Sequence, residues 1–326
     1  MKNFWQEIKK PIFALAPMED VTDTVFREIV IEISDPEYLQ VLFAEFTSTD
    51  GLCHPIGKEK VSHRLRVNSS ERELLKKNGI KLVAQIWGGD PEKFHKATKM
   101  ICEEHDFDGI DINMGCPVRK IVKQAACSEL IRFPELAKEI VQATQEASTI
   151  PVSVKTRTGI KEHETDTWIA DILSTKPAAL TLHGRTQKMM SRVSADWEEI
   201  AKASQIRKEV SPETTFIGNG DVESVEDGLE KCEEYDVDGV MIGRGIFGNP
   251  YIFNKGLVYT SRKQKLKLLL KHTRLYSETW TDEKSFAILK RFFKIYTANF
   301  PGASELRHEL MQTTCLEDVE KVVGEL

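Results

Sequence analysis

The sequence has few cysteines, and none of them is placed for a shared structural role. The six cysteines occur singly, without a Cys-x-x-Cys pair. This scatter excludes a disulfide framework and a structural zinc site, and it favours a reducing compartment, so we expect the cytoplasm. Three histidines, His54, His63 and His163, lie near acidic residues but lack ligand spacing with one another, so no metal site is predicted.

Long hydrophobic runs are also missing. No segment approaches the eighteen or so apolar residues of a membrane span. The apolar stretch from Pro11 to Met18 ends at Glu19 and Asp20, which is too short for a secretion signal. There is no nucleophile elbow, no Ser-His-Asp arrangement and no dinucleotide fingerprint opening a first crossover. These absences exclude membrane proteins and several common enzyme classes.

What is present is the composition of an ordinary globular protein. The chain has 326 residues, of which 40% are hydrophobic and 29% charged, and its net charge is −6. This length allows two domains, or one α/β barrel of about 250 residues with an appendage.

Eight short β-branched or apolar runs alternate with amphipathic helical stretches, and this pattern predicts a (β/α)₈ TIM barrel. The predicted strands are Ile12–Ala16, Val41–Phe46, Lys81–Trp87, Gly109–Asn113, Val152–Arg157, Ala179–His183, Thr215–Gly218 and Gly239–Ile242. The predicted helices include Pro91–His105, Phe133–Ala147, Asp166–Ser174, Trp197–Lys208 and Val222–Glu233. The segment from Thr47 to Ile80 is too long for a normal connection, and the pattern leaves open a functional loop or a small hairpin.

After Asn254 the strand signal stops and apolar residues recur at helical spacing. We therefore predict a catalytic barrel over residues 1–254 and an all-helical domain over residues 255–326. The balance of basic and acidic residues also changes after Asn254. Residues 1–254 hold 32 basic and 42 acidic side chains, whereas residues 255–310 hold 12 basic and 5 acidic ones. A local excess of positive charge indicates an anionic partner such as nucleic acid, or a solvated helical face.

In a barrel of this kind, functional side chains lie at the carboxyl ends of the strands. Polar, charged or glycine residues follow nearly every predicted strand: Pro17-Met18-Glu19, Glu45, Gln85, Asn113 to Pro117, Lys155 to Arg157, His183-Gly184-Arg185, Asn219-Gly220-Asp221 and Gly243-Arg244-Gly245. Singly, each has a structural alternative, such as a barrel-mouth ion pair, a core histidine, an inert cysteine or a turn. The two glycine motifs follow the last two strands, where many barrels bind a phosphate.

Several of these motifs, in this order, resemble the tRNA-dihydrouridine synthase family. The resemblance covers roughly residues 11–300. It is carried by Ala16-Pro17-Met18 with Val21-Thr22-Asp23, Asn113-Met114-Gly115-Cys116-Pro117, Val154 to Gly159, His183 to Thr186, Asn219-Gly220-Asp221 and Ile242 to Gly245.

The resemblance implies an FMN-dependent barrel with a helical domain that binds tRNA, and NADPH as the reductant. It implies cofactor contacts from Pro17, Met18, Glu19, Gln85, Lys155, His183, Asn219, Gly220, Asp221, Gly243 and Arg244. Asn113, Arg157 and Arg185 are the implied substrate-binding residues. Cys116 is the implied catalytic proton donor, and a monomer is expected.

The residue types suit this chemistry. Reduction of the C5=C6 bond of uracil needs a hydride at C6 and a proton at C5. A thiol with an ordinary pKa near 8.5 is mostly protonated at pH 7 and qualifies as the acid. Lys155 suits the negative charge of a reduced flavin ring. Basic residues of the tail are expected to hold tRNA phosphates: Lys263, Lys265, Lys267, Lys271, Arg274, Lys290, Arg291 and Lys294.

Two alternatives stay open. A flavin-dependent reductase of a free pyrimidine or another small enone would not need the basic tail. A tRNA-binding protein with vestigial chemistry would not need Cys116 and Lys155, and both are present.

Overall fold

Eight parallel strands close into a barrel in the computed structural model, which describes residues 3–256, 261–281 and 283–324. The strands are β1 Ile12–Leu15, β2 Val41–Phe43, β3 Thr47–Ser48, β4 Lys81–Trp87, β5 Gly109–Met114, β6 Val152–Arg157, β7 Ala179–His183, β8 Thr215–Asn219 and β9 Gly239–Ile242. Around the barrel their order is β2-β1-β9-β8-β7-β6-β5-β4, and the barrel closes because β4 also pairs with β2. The two-residue β3 pairs with the carboxyl end of β4. The predicted (β/α)₈ barrel is confirmed.

The barrel strands are buried along nearly their whole length, as expected for a parallel sheet covered by helices. Three of the surrounding helices begin at capping side chains: Asp90, Asp196 and Ser224 each accept a hydrogen bond from a backbone N–H of the first turn. These helices are α1 Phe4–Glu7, α2 Thr24–Ile33, α6 Pro91–Glu104, α8 Pro134–Ala147, α9 Thr165–Ser174, α10 Trp197–Val210, α11 Val225–Glu234 and α12 Gly245–Gly248, with α7 Arg119–Val122 and a 3₁₀ turn at Cys127–Arg132 between β5 and α8.

The long segment after β2 is helical, so both sequence interpretations, a loop and a hairpin, are wrong. It forms α3 Thr49–Leu52, α4 Pro55–Val61, a 3₁₀ turn at Ser62–Leu65 and α5 Ser69–Asn78. Glu71 of α5 is wholly buried and accepts two hydrogen bonds from the buried guanidinium of Arg27 on α2, at 2.6 and 2.9 Å. This pair fixes the segment to the barrel wall.

The C-terminal segment is helical, as its periodicity predicts. Its helices are α13 Arg262–Trp280, α14 Phe286–Leu289, α15 Phe293–Tyr296, α16 Ala303–Leu310 and α17 Leu316–Val323, with a 3₁₀ turn at Lys290–Phe292. Phe26 of α2 packs against Phe292 with ring centroids 4.9 Å apart, and against His272 of α13 at 5.8 Å. The described helices on both sides of residue 254 therefore share one hydrophobic core, and the domain boundary at that residue stays a prediction.

None of the helices in the described ranges has the length and apolarity that a bilayer span requires.

Candidate active site at the carboxyl ends of the strands

A cavity of about 440 Å³ opens at the carboxyl ends of β1, β6, β7, β8 and β9. The chain turns at these strand ends bring together residues that are distant in sequence. Of the predicted site residues, those that line the cavity are Pro17, Met18, Lys155, Arg157, His183, Arg185, Asn219, Gly220, Asp221, Gly243 and Arg244. The cavity is large enough for a cofactor-sized molecule, and its lining carries four basic side chains.

Lys155 projects from β6 toward β8. Its ammonium donates a hydrogen bond to Asn219 Oδ1 at 3.0 Å, and Asn219 in turn donates to the carbonyl of Met241 at 2.8 Å. Burial, together with the nearby charge of Arg157, lowers the pKa of Lys155 to about 8. An anion placed in the cavity would favour the charged form, so this lysine is suited to a ligand that carries or develops negative charge.

His183, Arg185 and Asp221 form a hydrogen-bonded chain along one wall. Arg185 Nη1 lies 2.9 Å from His183 Nε2, and Arg185 Nη2 donates to Asp221. A guanidinium only donates, so His183 Nε2 must accept and the ring must carry its proton on Nδ1. Burial and the surrounding cations lower the pKa of His183 well below its ordinary value, which agrees with a neutral ring.

The two glycine motifs differ in the space beside their backbones. Gly220 has φ +135°, and a Cβ atom there would lie 2.5 Å from Ala195 Cβ, so only glycine fits. At Gly243 a Cβ would meet only Ala16, at 3.7 Å. The side chain of Arg244, the next residue, is 59% exposed and pairs with Asp221 at 3.4 Å. The open backbone at Gly243 beside this exposed guanidinium is a suitable place for a phosphate.

The loop that carries Cys116 is positioned from inside the barrel. Buried Asp111 accepts a hydrogen bond from Gln85 at 2.7 Å, and Gln85 accepts one from Asn113 at 2.9 Å. Asn113 Oδ1 then accepts from the backbone N–H groups of Gly115 and Cys116, at 3.0 and 3.1 Å. This chain of side-chain amides fixes the start of the loop relative to β4 and β5.

Arg157 fixes the same loop from the other side. Its Nε donates to the Gly115 carbonyl at 2.6 Å, and its Nη1 donates to the carbonyls of Thr186 and Met190 at 3.2 and 2.9 Å. The loop after β5 is thereby tied to the loop after β7, beside the cavity.

Cys116 lies in the loop after β5 and is half-buried. A hydrogen bond from the thiol of Cys127 lowers the pKa of Cys116 to about 7, against the opposing effect of burial. The sequence expectation that this thiol is mostly protonated at pH 7 is therefore corrected, because thiol and thiolate are close to balance there.

Four of the predicted contact residues have protein partners for their polar groups. Glu19 is not among the residues that line the cavity and pairs with Arg64 at 2.8 Å. Gln85 and Asn113 use their amides within the buried chain described above. Arg185 is only 2% exposed, and all three of its nitrogens have protein partners, including the Val193 carbonyl at 2.6 Å. These partners orient the Gln85, Asn113 and Arg185 side chains, and the expected contacts of all four residues with cofactor and substrate stay predictions.

The basic residues that the sequence analysis assigns to tRNA phosphates differ in exposure and in their partners. Lys263, Lys267, Lys271 and Arg274 are exposed and follow one another at helical spacing on one face of α13, which we call the basic face. Lys265 is buried and donates to the Ala298 carbonyl at 2.7 Å, so its expected phosphate contact is wrong. Arg291 pairs with Asp20 at 3.2 Å, and Lys290 donates to the Met311 carbonyl at 2.8 Å. Lys294 is exposed.

Sequence reasoning missed Asp111 and Cys127. Asp111 had a detectable signal, since an acidic residue in the middle of a strand as apolar as β5 needs a buried partner. Burial raises its pKa to about 6, against the effect of its hydrogen bonds from Ser153 and Gln85. Cys127 gave no signal, because it lies eleven positions from Cys116 in the irregular loop.

Among solved structures, the chain resembles orotidine 5'-phosphate decarboxylase from Pyrococcus horikoshii, with 12% identity and a TM-score of 0.45 over 82% of this chain and 98% of that one. This likeness is too distant to bear on function.

Curated relatives are much closer in sequence. A probable tRNA-dihydrouridine synthase of Staphylococcus aureus (strain COL) is 44% identical over 99% of this chain and 95% of its own length. The probable tRNA-dihydrouridine synthase 2 of Bacillus subtilis (strain 168) is 43% identical over 99% and 96%.

A family model described as "Dihydrouridine synthase (Dus)" matches residues 14–325. This match covers the barrel, the cavity, the cysteine loop and the C-terminal helices alike. The resemblance expected from the motifs is confirmed: the chain belongs to the dihydrouridine synthase family.

Proposed function

We propose that this dihydrouridine synthase reduces the C5=C6 bond of uridines in tRNA, with electrons that pass from NADPH through bound FMN. The oxidoreductase class follows from the family, whereas the FMN, the NADPH and the residue roles are the proposed part. The observation that carries the proposal is the cationic cavity beside a half-buried cysteine with a pKa of about 7.

The charge and the size of the cavity support FMN as the cofactor. The open backbone at Gly243, the turn that carries Gly220 and the exposed guanidinium of Arg244 would hold the phosphate. Lys155 and the Nδ1–H group of His183 would face the polar edge of the ring system, with Pro17 and Met18 against its apolar part. The flavin, when bound and reduced, supplies the hydride for C6 of the uracil.

Cys116 would supply the proton for C5. The acid must hold its proton at working pH and release it readily, and a pKa near the ambient pH meets both needs. The hydrogen bond from Cys127 stabilises the thiolate that remains after transfer. Arg157 and Asn113 hold the loop, so the sulfur stays at one position relative to the cavity.

The basic face of α13 supports a nucleic-acid substrate. A uridine must leave its stack to reach a cavity at a barrel mouth, and the phosphate backbone must be held while it does so. Lys263 and Lys267 of the basic face have no ion-pair partner within the described ranges. This exposed charge favours tRNA over the alternative of a free pyrimidine.

The proposal is tested by separating the two half-reactions. Purified protein should be yellow or take up FMN on reconstitution. The Cys116→Ala variant should still bind FMN and oxidise NADPH, but should reduce tRNA uridines about 10² to 10⁴ times more slowly in single turnovers. Cys102→Ala, a change on the outer helix α6, is the matched control. Protein that takes up no FMN would contradict the proposal, and unchanged reoxidation by tRNA in Cys116→Ala would exclude Cys116 as the donor.

A further inference from the structure

Cys116 and Cys127 lie side by side although the loop between them contains a helix. The Cys127 side chain is close enough to lower the pKa of Cys116 by hydrogen bonding to its sulfur. Both side chains belong to one small apolar cluster with Phe46, Ile121 and Ala126. The next residue, Ser128, fixes the contact, because its hydroxyl and its backbone N–H both donate to the Cys116 carbonyl, at 2.7 and 3.4 Å.

The two cysteines differ in access. Cys116 is half-buried at the loop surface, whereas Cys127 is wholly buried beneath it. A cysteine that is oxidised reversibly has thiolate character and solvent access, and a second cysteine beside it resolves the oxidised form. Cys116 has thiolate character and solvent access, and Cys127 lies where a resolving cysteine would lie.

We propose that Cys116 and Cys127 are an oxidisable pair that closes to a disulfide when the protein meets a hydroperoxide. In the first step the Cys116 thiolate attacks the peroxide O–O bond, which forms a sulfenic acid and releases hydroxide or an alkoxide. In the second step the sulfur of Cys127 displaces the sulfenic hydroxyl. The S–S bond forms, and the hydroxyl leaves as water with the proton of the Cys127 thiol.

The disulfide is an oxidation product that can be reduced back to two thiols. Without a resolving thiol, a sulfenic acid proceeds to sulfinic acid, which ordinary thiols do not reduce. With Cys127 in contact, the disulfide forms first, and a cellular dithiol returns both thiols. In a reducing compartment such a bond is transient, which is the usual character of cytosolic disulfides.

Bond formation would also remove the proton donor at Cys116. This consequence rests on the proposed function, whereas the bond itself does not. Two of the other cysteines have partners of a different kind: Cys102 lies against the Ser148 hydroxyl at 3.8 Å, and Cys53 donates to the Lys93 carbonyl at 3.5 Å.

Peptide mapping of the full-length protein tests the bond directly. Trypsin cuts after Arg119, Lys120 and Lys123, so the two cysteines fall on separate peptides. After treatment with hydrogen peroxide and digestion without reductant, we expect a linked peptide that is two hydrogens lighter than the sum of its parts. Dithiothreitol should separate it. Cys102 shares a tryptic peptide with Cys116, so the Cys102→Ser variant is the control and should give the same link.

The Cys127→Ser variant tests the resolving role. Its Cys116 should be trapped as a sulfenic acid by dimedone and should then reach the sulfinic acid, with no recovery by dithiothreitol. Wild-type protein that forms no linked peptide, and whose Cys116 reaches the sulfinic acid as fast as in Cys127→Ser, would overturn the proposal. A linked peptide in wild type together with full activity in Cys116→Ala would instead retain the pair and reject the donor role of Cys116.

Discussion

Lys284, from the C-terminal segment, donates a hydrogen bond to Glu45 at the carboxyl side of β2, with Nζ 2.9 Å from Oε2. Both side chains are almost fully buried. The same ammonium lies 3.3 Å from Asp23, which also accepts from the indole of Trp280 at 2.9 Å. Glu45 in turn accepts from the backbone of Asp20 at 2.7 Å. One lysine therefore joins the C-terminal helices to the loop that follows β1, beside the cavity.

Replacing Lys284 by Met should destabilise the protein by about 3 to 5 kcal/mol at pH 7, because two buried carboxylates lose their counterion. Burial already raises the pKa of Glu45 despite Lys284, and loss of Lys284 raises it further. The folded protein then binds more protons than the unfolded chain, so the free energy of unfolding should fall as pH rises above about 4. Urea unfolding at pH 5 and 7 measures this.

Lys202→Met is the control for that experiment. Lys202 pairs with Asp166 at an exposed site, and loss of such a pair changes stability by about 1 kcal/mol or less. Equal effects of the two substitutions would contradict the role of Lys284 as a buried counterion.

Gly220→Ala should weaken FMN binding by about 10 to 100 times, since φ +135° and a Cβ only 2.5 Å from Ala195 force the turn after β8 to move. Gly248→Ala is the matched control, because nothing lies within 4 Å of its added Cβ. Flavin fluorescence titration of the apoproteins gives both affinities. An unchanged affinity in Gly220→Ala would exclude this turn from the cofactor site.

The Cys127→Ala variant should shift the pH dependence of uridine reduction. The donor must be protonated, so in wild type the single-turnover rate should fall as pH rises through about 7. Removing the hydrogen bond of Cys127 takes away the largest cause of the lowered Cys116 pKa. The falling limb should therefore move to higher pH, whereas NADPH oxidation should keep its own profile. A limb that stays in place would show that Cys127 does not set the acidity of Cys116.

Replacing Lys263 and Lys267 together by Ala should weaken tRNA binding and reduce its salt dependence. For each tRNA phosphate that these lysines neutralise, the slope of log K against log salt should change by about 0.7 to 0.9. Lys76→Ala with Lys77→Ala, exposed on α5, is the matched control pair. Identical slopes in all three proteins would remove the basic face from the tRNA site and favour a small-molecule substrate.

The sequence predicts the barrel well because each strand is a short apolar run with a polar residue at its carboxyl end. Ile12–Leu15 and Gly239–Ile242 pair in register although more than 220 positions separate them, since barrel closure requires it. The segment after β2 is mispredicted because its helices are short and polar. Its fully buried apolar residues are Leu52, Leu65 and Leu75, and these are too widely spaced to show a helical period.

The cavity residues could be predicted from their place after the strands, but their partners could not. Arg185 and Arg157 have the same residue type and the same type of position, yet Arg185 is fully engaged by Val193, His183 and Asp221. The partners that each arginine finds depend on the paths of the loops around it, and no local sequence pattern predicts those paths. The contact between Cys116 and Cys127 is equally invisible, because it arises from the path of an irregular loop.

The buried pair of Arg27 and Glu71 also constrains how this protein can be recombined with its relatives. The helical segment over residues 49–78 resembles an insertion in the sequence, which suggests that it could be exchanged as a unit. The residues that attach it lie in two separate parts of the sequence, however, because Glu71 belongs to the segment and Arg27 belongs to α2. Arg27 also donates to the Thr22 and Arg66 carbonyls at 2.6 and 3.0 Å. A chimaera that imports the segment without a matching residue at position 27 would enclose a carboxylate that has no cation, so the two pieces must be inherited together.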